Sequence, residues 1–503
     1  MESPLSLFDV PAEKLDAFIA HELLPTKEFK EGVHDVFQEI QRLFHGWYLK
    51  APEARVLKVI KAGSVMDGTM LNYKKEVQVV VFLDYYSPRT EASLHLDTLM
   101  LMKKSLLDHC WNDLDYSISE IYVDPEVPSS LIFTIQSTMT SEPIDVVILT
   151  AYNALESSHR TRPSEIYVDL IRTDGLPGQF SPYFIQLRKS FMRCLPVKLK
   201  NLLRLLKHWY LQHLKFSCPK ASLPPMYALE LLTIYAWETG THQAKNFKMA
   251  RGFVSVLEFL RDHKDICIYW TKYYSLQKQV IRDFVKEQLE RKRPVILDPV
   301  DPTHNVGEGK RWDLVAQRAA QCLKHICCFD KYNRPIKAWR MEKVRSIQVT
   351  VKKQKGEHLT IWVDPFSRIQ QMKKQPKLAP LFYHQQYLFY QEELGSCQHI
   401  LRCHCSLADY GIFSDVSIFL SERVNLEIHF HVKLPRCRIL DDYVMQSNDI
   451  IRKLKCMIEE KRGLFLGEYI LMFQGQKLKM NFSLGYYDIQ EGDILVLSER
   501  EHL

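Results

Sequence analysis

Two small-residue pairs, Gly63-Ser64 and Gly68-Thr69, stand just upstream of a β-branched run from Val77 to Leu83. These types suit phosphate chemistry, because a Gly-Ser turn frees backbone N–H groups and a hydroxyl to hold a triphosphate. A buried strand immediately after such a cradle is the place for acidic side chains at i and i+2. Such a pair projects from one face and binds catalytic metal ions. The two positions at the head of this strand are Glu76 and Gln78. The cradle is present, and the strand opens on one carboxylate and one amide.

The elements that position these residues follow from periodicity. Residues 1 to about 50 read as helical, with Leu15, Phe18, Ile19 and Leu23, then Val33, Val36, Phe37, Ile40 and Leu43, at helical spacing. Val56 to Ile60 is a strand that runs into the Gly-Ser turn. A helix over 92–108 and strands over Ser117–Val123, Ser130–Gln136 and Ile144–Leu149 follow. From about 182 the chain turns helical. Lys198 to Leu214 keeps its apolar residues on one face, and Pro224-Pro225 opens the next helix.

After Trp339 the period changes. Ile347–Val351 and Leu359–Val363 alternate around a polar turn and form a hairpin, followed by a helix (Ile369–Lys374) and strands Tyr387–Tyr390 and Val416–Leu420. The same order recurs from Leu426, with the helix Asp449–Glu460, the strand Tyr469–Phe473 and a closing strand Asp493–Ser498. SLADYGIF (406–413) and SLGYYDIQ (483–490) occupy matching places. This is an internal repeat of roughly 75–80 residues, too long for a solenoid unit and right for a small domain.

Composition sets outer bounds. A length of 503 residues implies roughly three domains at ~150 residues each. Hydrophobic content of 46% with 11% aromatics supports packed cores, so the chain is globular. A net charge of +7 is a mild basic bias that permits a nucleic-acid partner without arguing for one. The twelve cysteines include one adjacent pair, Cys327-Cys328, and no CxxC…CxxC frame, which reads as free thiols in a reducing compartment. The N-terminus has no apolar run long enough for a signal or membrane span. The expected location is therefore the cytoplasm, with the nucleus also open.

Gly63-Ser64 with Gly68-Thr69, LKNLLRLLKHWY, PPMYALELLTIYAWE, ICIYWTKYY and RPVILDPVDPT together resemble the 2′-5′-oligoadenylate synthetase family over about residues 1–340. The two C-terminal copies resemble ubiquitin, the second more clearly through IRKLKCMIEEKRG, LMFQGQKL and LGYYDIQEGDILVLS. The resemblance implies an α+β chain. A two-lobed nucleotidyltransferase-like module (1–343, dividing near 180) with a helical C-terminal lobe precedes two β-grasp ubiquitin-like domains (344–423 and 424–503).

In that family three acidic residues hold two Mg²⁺ ions for attack of a 2′-hydroxyl on an α-phosphate. The matching positions here are Glu76, Gln78 and Val147. Mg²⁺ demands near-octahedral oxygen ligation at about 2.0–2.1 Å. Glu76 is one methylene too long, Gln78 is neutral and Val147 offers no ligand. Asp145 shares the face of Val147 but stands about 6.5–7 Å along the strand. The expectation is a pseudoenzyme with no catalytic residues and no cofactor. Gly63, Ser64, Arg204, Lys207 and Tyr227 match nucleotide-holding positions, although the neighbouring Gln of the family is Met226.

The resemblance also implies a double-stranded RNA face at Arg42, Lys61, Lys189, Arg193 and Lys198, with Val197 where the family has Thr. Duplex RNA is read by shape and phosphate, so cations on one face suit it. Lys189, Arg193 and Val197 fall at i, i+4 and i+8, a single helical stripe interrupted locally by Pro196. Met472 and Leu497 match the apolar recognition patch of ubiquitin and would dock innate immune signalling or regulatory proteins. The chain ends Glu501-His502-Leu503 without Gly-Gly, which implies non-covalent docking. Cys397, His399, Cys403, His404 and Cys405 cluster, but their spacing fits no standard zinc site. The expectation is a monomeric, RNA-binding, interferon-induced antiviral protein. The alternatives are an active synthetase using ATP and Mg²⁺ through Glu76, and a protein-interaction scaffold without RNA binding.

Overall fold

The computed structural model describes residues 6–45, 48–50, 53–84, 92–109, 116–124, 130–137, 143–152, 163–173, 178–276, 278–353, 358–375, 378, 386–391, 399–422, 427–435, 440–463, 467 and 469–499. The chain forms two compact units, Met1–Arg345 and Ser346–Leu503. Both mix helix and sheet, so the chain is α+β.

In the first unit, α1 (Leu15–Phe18) and α2 (Lys27–Phe44) are followed by β1 (Tyr48–Lys50), β2 (Glu53–Ala62), the one-turn α3 (Gly63–Asp67) and β3 (Glu76–Leu83). Then come α4 (Ala92–Asp108), β4 (Tyr116–Ile118), β5 (Tyr122–Val123), β6 (Ser130–Ser137) and β7 (Pro143–Tyr152). Thr26 caps α2, its Oγ1 accepting from the Phe29 N–H at 3.2 Å. The strands form one sheet in the order β1-β2-β3-β7-β6-β4, with β5 also on β6. β3 and β7 run parallel at its centre.

Alternation along β3 divides its side chains. Val77, Val79, Val81 and Leu83 pack with residues of α2 and α4 in a buried core. Glu76 and Gln78 therefore project from the opposite face. The strand expected over Ser117–Val123 is two short ones. The five residues from Ile118 to Tyr122 face the four from Ile135 to Ile132, a one-residue bulge. Ser119 Oγ sits in it and accepts from the Thr134 N–H at 2.8 Å.

The helical part comprises α5 (Pro163–Ile171), α6 (Ile185–Arg193), α7 (Val197–Trp209), α8 (Met226–Thr241), α9 (Met249–Arg261), α10 (Gln279–Leu289) and α11 (Trp312–Cys322). Two short parallel strands, β8 (Cys267–Ile268) and β9 (Val295–Ile296), pair among them. The N-terminal segment belongs here too. Leu7, Val10, Leu15, Ile19 and Leu23 are buried in the same core as Trp209, Leu229 and Phe253. The lobes are therefore not divided simply at residue 180, because Leu7 to Leu23 cross to the helical side. The expected stripe of Lys189, Arg193 and Val197 is also split. α6 ends at Arg193 and α7 starts at Val197 after Pro196, which has no N–H to donate and biases Leu195 away from helical geometry.

The second unit holds two copies of one topology. The first is β10 (Ile347–Lys352), β11 (Leu359–Val363), α12 (Ile369–Lys373), β12 (Gln386–Tyr390), β13 (His399–Ile400) and β14 (Val416–Glu422). The second is β15 (Glu427–Lys433), β16 (Leu440–Gln446), α13 (Ile451–Arg462), β17 (Tyr469–Phe473), β18 (Gln476–Lys477) and β19 (Ile494–Glu499). The sheet orders, β11-β10-β14-β12-β13 and β16-β15-β19-β17-β18, are the same. Matching bridges, Arg368 to Ser406 and Ile450 to Ser483, anchor the repeated motif in each copy. Gly411 (φ +72°) and Asp488 (φ +60°) both take the left-handed conformation that ends its short helix.

His208, on α7, joins parts far apart in sequence. Its ring lies edge-on to Phe18 at 5.5 Å and shares a 2.9 Å hydrogen bond between Nδ1 and the Tyr73 hydroxyl. Burial, aided by nearby His213, holds its pKa down to about 4. The unfolded chain binds this proton below its ordinary value of 6.5, whereas the folded chain excludes it until about 4. Stability is therefore lost as pH falls through that window, by about 1.4 kcal/mol per pH unit for this group. Urea unfolding of the His208→Gln variant between pH 7 and 4 should show a shallower loss than the parent. Parallel curves would show that His208 titrates normally.

Candidate functional site

β2 delivers the chain into α3 at Gly63, which sits at φ +57°, where only glycine is unstrained. Gln78 closes over this turn, so a Cβ on Gly63 would meet Gln78 Cδ at 2.7 Å. The expected Gly-Ser turn is thus the start of a one-turn helix that ends at left-handed Gly68.

Two cations of α7, one turn apart, hold the cradle. Lys207 Nζ donates to Ser64 Oγ at 2.5 Å and Thr69 Oγ1 at 3.3 Å, and lies 3.4 Å from Glu230 Oε1. Arg204 donates to the carbonyls of Gly68 (2.6 Å) and Met70 (3.1 Å) and to Asn201 Oδ1 (2.8 Å). The side chains matched to phosphate contacts are here bonded to the loop that would cradle the phosphates.

Beneath them lies a buried ion network. Arg188 on α6 donates to Asp67 Oδ2 at 2.8 Å and stands 3.6 Å from Glu230 on α8. Its guanidinium covers one face of the Tyr227 ring, 3.9 Å from the centroid. Burial works against the charge on Arg188, but Asp67 and Glu230 outweigh it and hold the guanidinium ionised. One face of Tyr227, matched by resemblance to a nucleotide-holding position, is therefore already occupied. Asp67 Oδ1, Arg188 Nε and the Tyr227 hydroxyl are buried without a hydrogen-bond partner among the described residues. They leave polar capacity for a small ligand or water. Met226, at the start of α8, is half-buried against the helical core.

The carboxylate positions are built differently. Glu76 Oε2 pairs with Lys74 Nζ at 2.6 Å, while its Oε1 accepts from the Gln78 amide. In the parallel register Gln78 lies beside Val147, and Asp145 is level with Glu76. Asp145 is exposed and accepts from Thr134 Oγ1 at 3.4 Å. A lysine-paired carboxylate, an amide engaged with it and a hydrocarbon do not match the three-carboxylate donor set that two Mg²⁺ ions require.

Basic residues gather around α2, the edge of β2 and α6. His34, Gln38 and Arg42 form an exposed i, i+4, i+8 stripe on α2, Gln38 Nε2 lying 2.9 Å from His34 Nε2. Lys61 Nζ is 2.9 Å from His34 Nδ1 and 4.6 Å from the Phe37 ring centroid, so Lys61 points toward α2. Burial first, and then the charge of Lys189, lower the Lys61 pKa. The latter effect brings these two lysines into one field. Lys189 and Arg193 share an exposed face of α6, and Arg42 is paired with Glu39. Lys198 is drawn instead to Asp16 of the N-terminal segment at 2.6 Å. Val197 is 74% exposed.

In the second copy of the repeat, Met472 is half-buried on β17, whereas Leu497 is only 2% exposed and lies in the core. Leu497 is therefore unavailable to a partner. The exposed neighbour is Val496, paired with Met472 across the strands. In the first copy, His399 is exposed at the sheet edge. Cys403 Sγ meets Lys373 Nζ at 3.2 Å and the Tyr486 carbonyl at 3.8 Å. His404 and Cys405 lie between Arg402 and Asp409 in charge. Cys397 lies outside the described residues.

Residues 160–344 match the family model described as 2′-5′-oligoadenylate synthetase 1, domain 2, C-terminus, and residues 442–501 match the ubiquitin family. The class defined is a nucleotidyltransferase-like module with a ubiquitin-like C-terminus. The chain is 45% identical to 2′-5′-oligoadenylate synthase-like protein 1 of Rattus norvegicus over 98% of its own length and 97% of that protein. It therefore belongs to the 2′-5′-oligoadenylate synthase-like proteins. Its first part is also 38% identical to 2′-5′-oligoadenylate synthase 3 of Rattus norvegicus, covering 67% of this chain and 30% of that one. The solution structure of the C-terminal ubiquitin-like domain of human 2′-5′-oligoadenylate synthetase-like protein matches with 34% identity. It covers 16% of this chain and 94% of that one, at a TM-score of 0.15.

Sequence reasoning missed Arg188, Asp67, Glu230 and His34. Glu230 carried a signal, as a lone acid inside the apolar run MYALELLTIYAWE, where a buried charge needs a partner. Arg188, read beside Lys189, looks like another surface cation. Replacing Arg188 by Gln leaves two buried acids facing Lys207 alone and should cost about 3–5 kcal/mol in urea unfolding. Adding Asp67→Asn should recover part of the loss. Additive or negligible losses would show that the pair is not coupled.

Proposed function

We propose that this chain binds double-stranded RNA through its first unit, makes no 2′-5′-linked oligoadenylate, and docks protein partners through its ubiquitin-like domains in antiviral innate immunity. The observation that carries this reading is the opposite fate of the two faces of the β2–β3 pair. On one face, Gln78 is folded onto Gly63, Glu76 is tied to Lys74, and Val147 completes the degenerate metal position. On the other side, Lys61 turns toward α2 and shares a field with Lys189. Phosphate binding needs only correctly placed cations, whereas two-metal synthesis needs three carboxylates. Losing the second leaves the first intact.

The ubiquitin-like copies support the docking part. The exposed Val496 beside Met472 supplies an apolar strip on the second sheet. In this reading the protein acts as a monomer in the cytoplasm, with nuclear presence also compatible, and RNA bound to the first unit concentrates the docked partner.

Duplex RNA affinity measured against salt tests the RNA face. The slope of log K against log salt should fall by about 1 for each of Lys61→Ala and Lys189→Ala. Arg311→Ala, which removes an exposed cation paired with Asp313, should leave the slope unchanged. Equal slopes for all the variants would contradict the assignment.

A further inference from the structure

Cys322 ends α11, and Cys327 with Cys328 forms the short turn that follows it. Their sulfurs lie within 4.8 Å of one another, and all three residues are buried. They form the one such converging group of His, Cys, Asp or Glu among the described residues. Cys327 and Cys328 sulfurs are 3.9 Å apart. A metal–sulfur bond of about 2.3 Å places the sulfurs of a tetrahedral site about 3.8 Å apart. The turn is braced by its backbone, with the His325 N–H donating to the Cys322 carbonyl (3.0 Å) and the Cys328 N–H to that of His325 (2.9 Å).

Two imidazoles border the cluster. Phe8 of the N-terminal segment is stacked between them, 3.9 Å from the His213 ring and 4.2 Å from that of His325. His213 Nε2 is buried with no hydrogen-bond partner among the described residues.

We infer that Cys322, Cys327 and Cys328 form a binding site for a thiophilic closed-shell cation, zinc(II) or copper(I). Binding breaks up to three S–H bonds, releases the protons to solvent and forms three metal–sulfur bonds, with no change in oxidation state. Zinc would take a fourth ligand besides the three sulfurs. Copper(I) is satisfied by three thiolates. The ion would join the end of α11 to the turn on which Phe8 rests, and so fix the N-terminal segment in the helical lobe. The ordinary alternative is that three small apolar thiols merely fill a core.

Metal content of the full chain purified under reducing conditions tests the site. Mercurial titration of the native protein, with a zinc or a copper(I) indicator present, identifies the ion and needs no variant. The expected result is one ion per chain, released as these thiols react, with hydrogen exchange rising in residues 6–24. Cys322→Ser and Cys327→Ser should lose the ion, while Cys267→Ala, a buried cysteine outside the cluster, should keep it. A reduced protein that takes up neither added zinc nor added copper(I) overturns the proposal. So does an ion retained by the double variant Cys322→Ser/Cys327→Ser.

Discussion

The first unit depends on four charges, three of them buried and the fourth, Arg188, half-buried. Asp67 comes from the turn after β2, Arg188 from α6, Lys207 from α7 and Glu230 from α8. Moving charges of this kind out of water costs several kcal/mol each, which opposite charges in good geometry offset. Two acids against two bases leave the group neutral, but no single member can be spared. The network bolts the Gly-Ser turn, carried by the sheet, to three helices. Its position sets the distance between the cradle and α7, and with it everything that the site could hold.

That arrangement explains how synthesis can be absent while the fold persists. The carboxylate positions on β3 and β7 contribute ligands, not core. Glu76, Gln78 and Val147 are each half-buried on the face away from the α2–α4 core, so their identities can vary without disturbing Val77, Val79 and Val81. Gln78 even finds a structural use, filling the space over Gly63. The cations of α7 remain because they satisfy carbonyls and hydroxyls of the loop, whether or not a phosphate is present. On the other side of the sheet, Lys61 is held by α2, an element the active-site face never touches. Separate faces of one strand pair can therefore diverge separately.

How much of this was legible depended on the range of the physics involved. Apolar runs exposed β3 and β7, alternation exposed β10 and β11, and the strand–helix order of the second unit repeated clearly enough to reveal two domains. The bulge at Ser119 and the break at Pro196 were blurred, since each is a local hydrogen-bond choice inside a longer pattern. The crossing of Leu7–Leu23 to the helical lobe was invisible, because amphipathic helices announce that they bury a face but not against what. Arg188 illustrates the same limit, as an arginine beside a lysine reads as surface until Asp67 and Glu230 are seen to surround it. Leu497 was assigned one residue out of phase with Val496, and along a strand one residue is the difference between core and solvent.

The central claim is that the RNA face outlived the catalytic one. The most direct measurement incubates the full chain with ATP, Mg²⁺ and saturating poly(I:C), follows 2′-5′-linked product, and records binding to the same RNA in parallel. The account predicts salt-sensitive binding with no product above a protein-free control. RNA-dependent product would contradict it, and would mean that Glu76, with Asp145 level beside it, assembles a working metal site.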